Sequence, residues 1–270
     1  MRPDAGRGSR AGPGRVVELD QAGRLLLRAA IGETPATLMS REQLRRGLCR
    51  ATVLGTAGQP LAAAVQPFAF PGDVSLYGDD AEALFALLTQ LDDWEAADVA
   101  LERARPLAAW LGWATRQPVA FAREHFFALE TPAPALSDPA VRLLGEGDRP
   151  LLEAATAPLE MGDWRFGSAA ALLAEGLAAG AVIDGALVAV AFTAALGERY
   201  VDVGIVTRPD FRGQGLATSA AALVCQAIQA DGRTPAWGTS EENLASQRVA
   251  AKLGFREVAQ RVYLVPDAGA

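Results

Sequence analysis

Six consecutive residues, Arg212-Gly213-Gln214-Gly215-Leu216-Ala217, carry the most specific chemistry in this chain of 270 residues. Two glycines at a helix start let the backbone approach a ligand closely and leave several N–H groups without intrahelical partners. The positive end of the helix dipole points the same way, so a phosphate or diphosphate is the natural guest. Arg212 adds a cation at the rim. An ordinary glycine-rich turn from strand to helix would use the same two glycines. Two other phosphate loops are excluded: no lysine follows either glycine, as a Walker A loop requires, and Thr218 stands where a dinucleotide-binding GxGxxG needs its third glycine.

Such a loop needs a strand before it and a helix behind it, and the pattern supplies both. Residues 200–207 read as a strand, and Leu216, Leu223, Val224, Ala227 and Ile228 recur at helical spacing until Asp231-Gly232 ends the run. Upstream, residues 182–183 and 187–192 flank Asp184-Gly185, a dipeptide suited to a tight type I′ hairpin. Residues 140–144 read as a short strand, and residues 148–155 and 168–179 as helices. Downstream, residues 234–239 form a strand, and Asn243 caps a helix that runs to Leu253 and ends on Gly254. Residues 258–265 close the order β-α-α-β-β-β-α-β-α-β. This predicts an α/β domain whose mixed, largely antiparallel sheet is flanked by helices.

The loop matches the R/Q-x-x-G-x-G/A signature of the GNAT acyltransferases. Asn243-Leu244-Ala245-Ser246 with Lys252-Leu253-Gly254-Phe255 is similar to that family's N-x-x-S…L-G-F helix. Two motifs in the right order make residues 141–265 resemble a GNAT N-acetyltransferase, within a two-part chain. The resemblance implies acetyl-CoA as acyl donor, with no metal. It implies a diphosphate held by Arg212, Gly213, Gln214, Gly215, Leu216, Ala217 and Thr218. The pantetheine arm would lie like an added strand against the backbone near Ile205 and Thr207, with Gly204 permitting close approach. Asn243 and Ser246, three residues apart on one helix face, would reach the same cofactor, although Asn243 also serves as a plain helix cap.

Acyl transfer to an amine needs a base, a proton for the leaving thiolate and donors for the oxyanion. The resemblance suggests Asp202 as base or ammonium partner, and a solvated or ion-paired strand carboxylate is the alternative. Many family members carry a tyrosine where this chain has Ala250, so Tyr263, or Tyr200, is the substitute proton donor. Gly238 follows Trp237 where related chains often have an aspartate. The acceptor is expected to be an amine-bearing small molecule or peptide. Because the usual acid is missing, a catalytically silent acetyl-CoA sensor or protein-interaction module is the competing reading.

Composition narrows the rest. A net charge of −7 argues against nucleic acid as a partner, and half the residues are apolar, enough for a sizeable core. No window suggests a membrane span. Cys49 and Cys225 lie far apart, and His125 is the sole histidine, so neither a disulfide framework nor a His-ligated metal is expected. Lys252 is the only lysine among many arginines, a bias that suggests a bacterial genome; a cytoplasmic protein is the default expectation, and a homodimer stays open. Residues 1–20 read as a disordered lead-in without the apolar stretch of a secretory signal. Three prolines make residues 132–139 a linker. Residues 21–131 then form an N-terminal α/β domain, with strands at 49–54, 61–70 and 74–77, a helix at 80–91, and a strand-helix-strand run at 99–101, 106–111 and 125–130. It could be a degenerate copy of residues 140–266, without a matching cofactor loop. Trp94, Trp110, Trp113 and Trp164 are expected to be packing residues.

Overall fold

The computed structural model describes residues 16–157, 159 and 166–266. The lead-in reading for residues 1–15, and Trp164, lie outside the described residues. Residues 16–20 do not continue the lead-in: Val16–Glu18 forms an edge strand, and Asp20 caps the next helix by accepting the Gly23 N–H at 2.8 Å.

The first half runs β1 (Val16–Glu18), α1 (Gln21–Ala30), α2 (Leu38–Arg46), β2 (Cys49–Thr56), β3 (Gln59–Pro67), β4 (Asp73–Tyr77), α3 (Ala81–Leu88), β5 (Ala96–Ala100), α4 (Leu101–Thr115) and β6 (Val119–Ala128). The second runs β7 (Val141–Leu143), α5 (Arg149–Ala155), α6 (Ala169–Glu175), β8 (Ala178–Ile183), β9 (Ala186–Leu196), β10 (Tyr200–Thr207), α7 (Leu216–Ala230), β11 (Thr234–Ser240), α8 (Leu244–Leu253) and β12 (Arg256–Pro266). The order of elements is the same in both halves. The tight hairpin at Asp184-Gly185 has φ of 49° and 75°, the left-handed pair that a type I′ turn requires.

Among the described residues all strands join one sheet, in the order β1-β2-β3-β4-β5-β12-β6-β11-β10-β9-β8-β7. The halves therefore interlock. β12, from the second half, lies between β5 and β6, while β6, from the first, lies between β12 and β11. β6 and β12 pair antiparallel along their whole lengths, from Val119 opposite Pro266 to Ala128 opposite Arg256. A boundary at residues 132–139 divides the chain but not the sheet. That segment is also tied down: Gln229 accepts the Ala133 N–H at 2.8 Å, and Gln226 donates to the Pro134 carbonyl at 2.8 Å.

The expected helix at residues 168–179 is cut short. α6 ends at Glu175, and Ala178 onward is strand. Alanine favours helix, but here packing wins. A side chain at Gly180 would put its Cβ 2.3 Å from Leu187 Cδ1, and Ala178, Ala179 and Ala181 are fully buried. The N-terminal strand expected at 61–70 ends at Pro67, and α4 begins at Leu101, five residues before Pro106. Trp113 is 75% exposed rather than packed, and Trp110 stacks on Phe85 at 5.6 Å. No described helix is long and apolar enough to cross a membrane.

Candidate functional site

Strand β10 has two different edges. Toward β9 it pairs from Val201 to Thr207, with an irregularity between Asp202 and Val203. Toward β11 it pairs in parallel only from Tyr200 to Asp202. β11 then continues against β6 from Ala236 to Ser240. The two strands part after Asp202, and Ile205 and Thr207 lie on the stretch that β11 leaves. Gly204 sits there under the Phe192 ring, where an added Cβ would come within 2.9 Å of the ring tip.

Beyond Thr207 the chain makes one 3-10 turn, Pro209–Phe211, braced by Arg208 bonding Asp210 at 2.8 Å and lying over Phe211. Arg212 donates from Nε to the Thr207 carbonyl at 3.3 Å. Gly213 and Gly215 then take φ of 79° and 84°, which other residues adopt only under strain, and the space in front of both is open. α7 starts at once. No side chain caps it and no acid occupies its first turn, so its leading N–H groups and dipole remain available to an anion.

The corresponding helix of the first half is built the other way. Asp80 caps α3 by accepting the Glu82 N–H at 3.0 Å, with Asp79 before it and Glu82 in its first turn. Its only loop glycine, Gly78, has no room for a side chain, since a Cβ would lie 2.7 Å from the Leu61 carbonyl oxygen. Two carboxylates thus precede this helix and a third lies in its first turn. The first half keeps the architecture without an anion site.

On α8, Asn243 accepts the Ser246 N–H at 3.1 Å, so the cap reading of Asn243 holds. Ser246 in turn accepts a bond from the indole N–H of buried Trp237 at 2.9 Å, which ties the helix start to β11. Ala250 is fully buried in the core with Trp237 and Leu253. Cys225 is buried too, its thiol pushed up to about 12 by burial, the setting of an unreactive core cysteine. His125 lies on β6 with Nδ1 3.0 Å from a Glu257 carboxylate oxygen.

A cavity of about 800 Å³ joins the two halves across the sheet. Its wall in the second half includes Asp202, Gly204, Ile205 and Phe192. The exchanged strands supply its middle, Glu124 and Phe126 from β6 and Tyr263 from β12. The first half contributes Met39, Phe70, Asp73 and Asp98. The cavity thus brings Asp202 and Tyr263 together on one surface. Thr207, residues 212–218, Asn243 and Ser246 lie outside its lining. Burial above all, with help from Asp98, Glu124 and Asp73, pushes the Tyr263 phenol well up and keeps it protonated. Burial, then Glu95 and Asp98, also push the Asp73 carboxyl up. Arg261 donates from Nε to both carboxylate oxygens of Asp98, at 2.9 and 2.7 Å, and both residues are buried. Glu124, Asp73 and Asp98 belong to no motif. Alternation along β6 assigns Glu124 and Phe126 to one face, but strand exchange alone brings that face to β10.

A family profile described as GNAT acetyltransferase matches residues 154–263, a span that holds the open-fronted loop, the parted strands and both motifs. Residues 154–263 are a GNAT acetyltransferase domain. Acyl transfer is the reaction class of that domain. Solved structures extend the likeness in fold to the first half. A GCN5-related N-acetyltransferase-like protein from Streptococcus suis is 18% identical, with 90% of this chain and 99% of that one covered at a TM-score of 0.63. A GCN5-related N-acetyltransferase from Kribbella flavida is 20% identical, with 89% and 98% covered at 0.64. A tandem GNAT protein from the clavulanic acid biosynthesis pathway is 15% identical, with 95% and 99% covered at 0.57. No curated protein sequence matches the chain significantly. The first half is accordingly a second GNAT-like unit, and the GNAT fold is present twice.

Proposed function

We propose that the chain transfers an acetyl group from acetyl-CoA to a primary amine of a small molecule or peptide, in a bacterial cytoplasm and without a metal. One observation carries the reading: the uncapped start of α7, the parted stretch of β10 and the cavity wall at Asp202 follow one another along a single strand and its loop. An acyl thioester reaching the parting of β10 and β11 would meet an acceptor lying in the cavity.

When bound, acetyl-CoA supplies an electrophilic thioester carbonyl. The backbone from Arg212 to Thr218, with the Arg212 side chain, takes the diphosphate. The β10 backbone at Ile205 and Thr207 takes the pantetheine amides as an added strand would, and N–H groups of that stretch serve the oxyanion. Asn243 and Ser246 on α8 would reach the same cofactor. Asp202 holds the incoming ammonium and accepts its proton, directly or through water. The amine nitrogen would bond the carbonyl carbon as the carbon–sulfur bond breaks; Tyr263 would give its proton to the departing thiolate, and the second proton of the acylated nitrogen would pass through water to restore the phenol.

Acetyl-CoA should raise the melting temperature by mass action on the native state, and a panel of amines should be acetylated. Binding of acetyl-CoA with transfer to no amine would overturn the enzyme reading in favour of a sensor or an interaction module.

A further inference from the structure

Consecutive residues of a strand face opposite sides of a sheet, so the strands that wall the acceptor cavity also have a back. There Arg123 and Val262, the neighbours of Glu124 on β6 and Tyr263 on β12, line a second cavity of about 530 Å³. It opens where β6 outruns β11. The last contact between them is the Glu241 N–H on the Arg123 carbonyl at 2.8 Å, and residues 119–122 have no described strand on that side. α4 lies over β12 and β5, and α8 over β11. Phe121 between them is 49% exposed, and Leu101 at the start of α4 is 40% exposed. Ala104 and Val262, both buried, form the floor. Two guanidinium groups complete the lining, Arg105 from α4 and Arg123 from β6. Among the described residues neither side chain has an ion pair or a hydrogen bond, although Glu102 lines the same cavity. The arginines that join the two halves are all taken: Arg261 by Asp98, Arg41 by Glu33 and Glu198, Arg46 by Glu42 and Glu175.

An apolar floor flanked by two unpaired cations matches a ligand with a hydrocarbon body and one anionic end. We propose that this cavity binds an amphipathic carboxylate, its acid group between Arg105 and Arg123 and its body against Phe121, Leu101 and the Ala104–Val262 floor. A guanidinium offers parallel N–H donors that fit either a carboxylate or a phosphate. Glu102 decides between them, because its charge repels a dianion more than a monoanion. A hydrocarbon body would take the exposed surface of Phe121 and Leu101 out of water, and the volume lies within the range of small-molecule sites. The proposal is independent of the acetyltransferase reading: the cavity lies behind the sheet and shares no residue with the cofactor loop or the acceptor cavity.

The test is binding of octanoate and 4-phenylbutyrate to the full chain by calorimetry, beside octanamide and inorganic phosphate, with acetyl-CoA binding followed separately by thermal shift. The expected result is one saturable site for the two acids, with octanamide held about tenfold more weakly, the scale of one lost charge-assisted hydrogen bond. Arg105→Ala and Arg123→Ala should each weaken the acids by about tenfold, and Phe121→Ala should weaken them severalfold. All three side chains are exposed, so the variants should keep the wild-type melting temperature and the acetyl-CoA shift. Acids bound no better than octanamide, phosphate bound more tightly than either acid, affinity unmoved in both arginine variants, or no saturable binding would each overturn the proposal. Displacement of the acids by acetyl-CoA would put them on the front of the sheet and overturn it too.

Discussion

The carboxylate of Glu33 fills the place where a side chain at Gly197 would be. A Cβ on Gly197 would lie 2.3 Å from Glu33 Oε1. Glu33, on the loop after α1, accepts the N–H groups of Glu198 at 3.0 Å, Arg199 at 2.8 Å and Tyr200 at 2.9 Å. Arg41 lies 2.8 Å from Glu198 and 3.3 Å from Glu33, so the first half holds the turn that opens β10. Gly197→Ala should evict the carboxylate and destabilise the fold by about 2 kcal/mol, and so should Glu33→Ala. Both remove one contact, so the double variant should cost little more than either single one. Urea midpoints of the four proteins check this, and simple additivity would refute the lock.

The loop makes a separate prediction. Replacing Gly213 or Gly215 by valine puts a β-branched residue at φ near 80° and pushes methyl groups into the open space before α7. Local strain of about 1–2 kcal/mol should leave the protein folded. The acetyl-CoA thermal shift should vanish in both variants, and an unchanged shift would remove the loop from the cofactor site.

Proton traffic can be read from pH. Because burial holds the Tyr263 phenol above its ordinary range, Tyr263 stays a donor as pH rises through neutrality. The rate should then climb with pH as the amine, of ordinary pKa about 10, loses its proton, and no tyrosine ionisation should bend the profile near neutrality. Tyr263→Phe keeps the ring and should lower kcat by about a hundredfold, the scale of one general acid, without moving acetyl-CoA affinity. Asp202→Asn should likewise lower turnover more than acetyl-CoA affinity. Full turnover in both variants would hand the acid and base roles to water or to the substrate.

Strand exchange should make unfolding a single event. Arg261 on β12 bonds Asp98 on β5 and donates to the Leu76 carbonyl at 2.9 Å, all out of water. Asp98→Ala would leave a buried guanidinium without its counter-ion, at a cost of about 3–5 kcal/mol. A nick engineered at residues 132–139 should leave the two pieces associated, and the intact chain should unfold in one transition by fluorescence and circular dichroism. Two separate transitions would mean that the halves are independent.

The second half was readable because its signals are local. Asp184-Gly185, the Asn243 cap with Gly254, and the glycine pair at Gly213 and Gly215 each fix their own backbone, and together they order the elements. α1 and α2 are hard to read from the sequence because much of what holds them is distant in it: Glu33, Arg41 and Arg46 bond residues of the other half. Ala178 and Ala179 speak for helix by propensity, but β9 and α7 press them into strand. Within the site, the loop and Asp202 were visible in the sequence. Glu124, Asp98 and Asp73 were not, because only the exchange of β6 and β12 sets those strands beside one another and aligns them with β10.

That exchange also governs when the fold can close during synthesis. β5 and β6 emerge from the ribosome as neighbours in sequence, yet β12 must come between them. Until β12 is made, both strands present unpaired edges, which invite wrong partners. The N-terminal half is therefore made early and finished late, and its maturation waits on the translation of the other half.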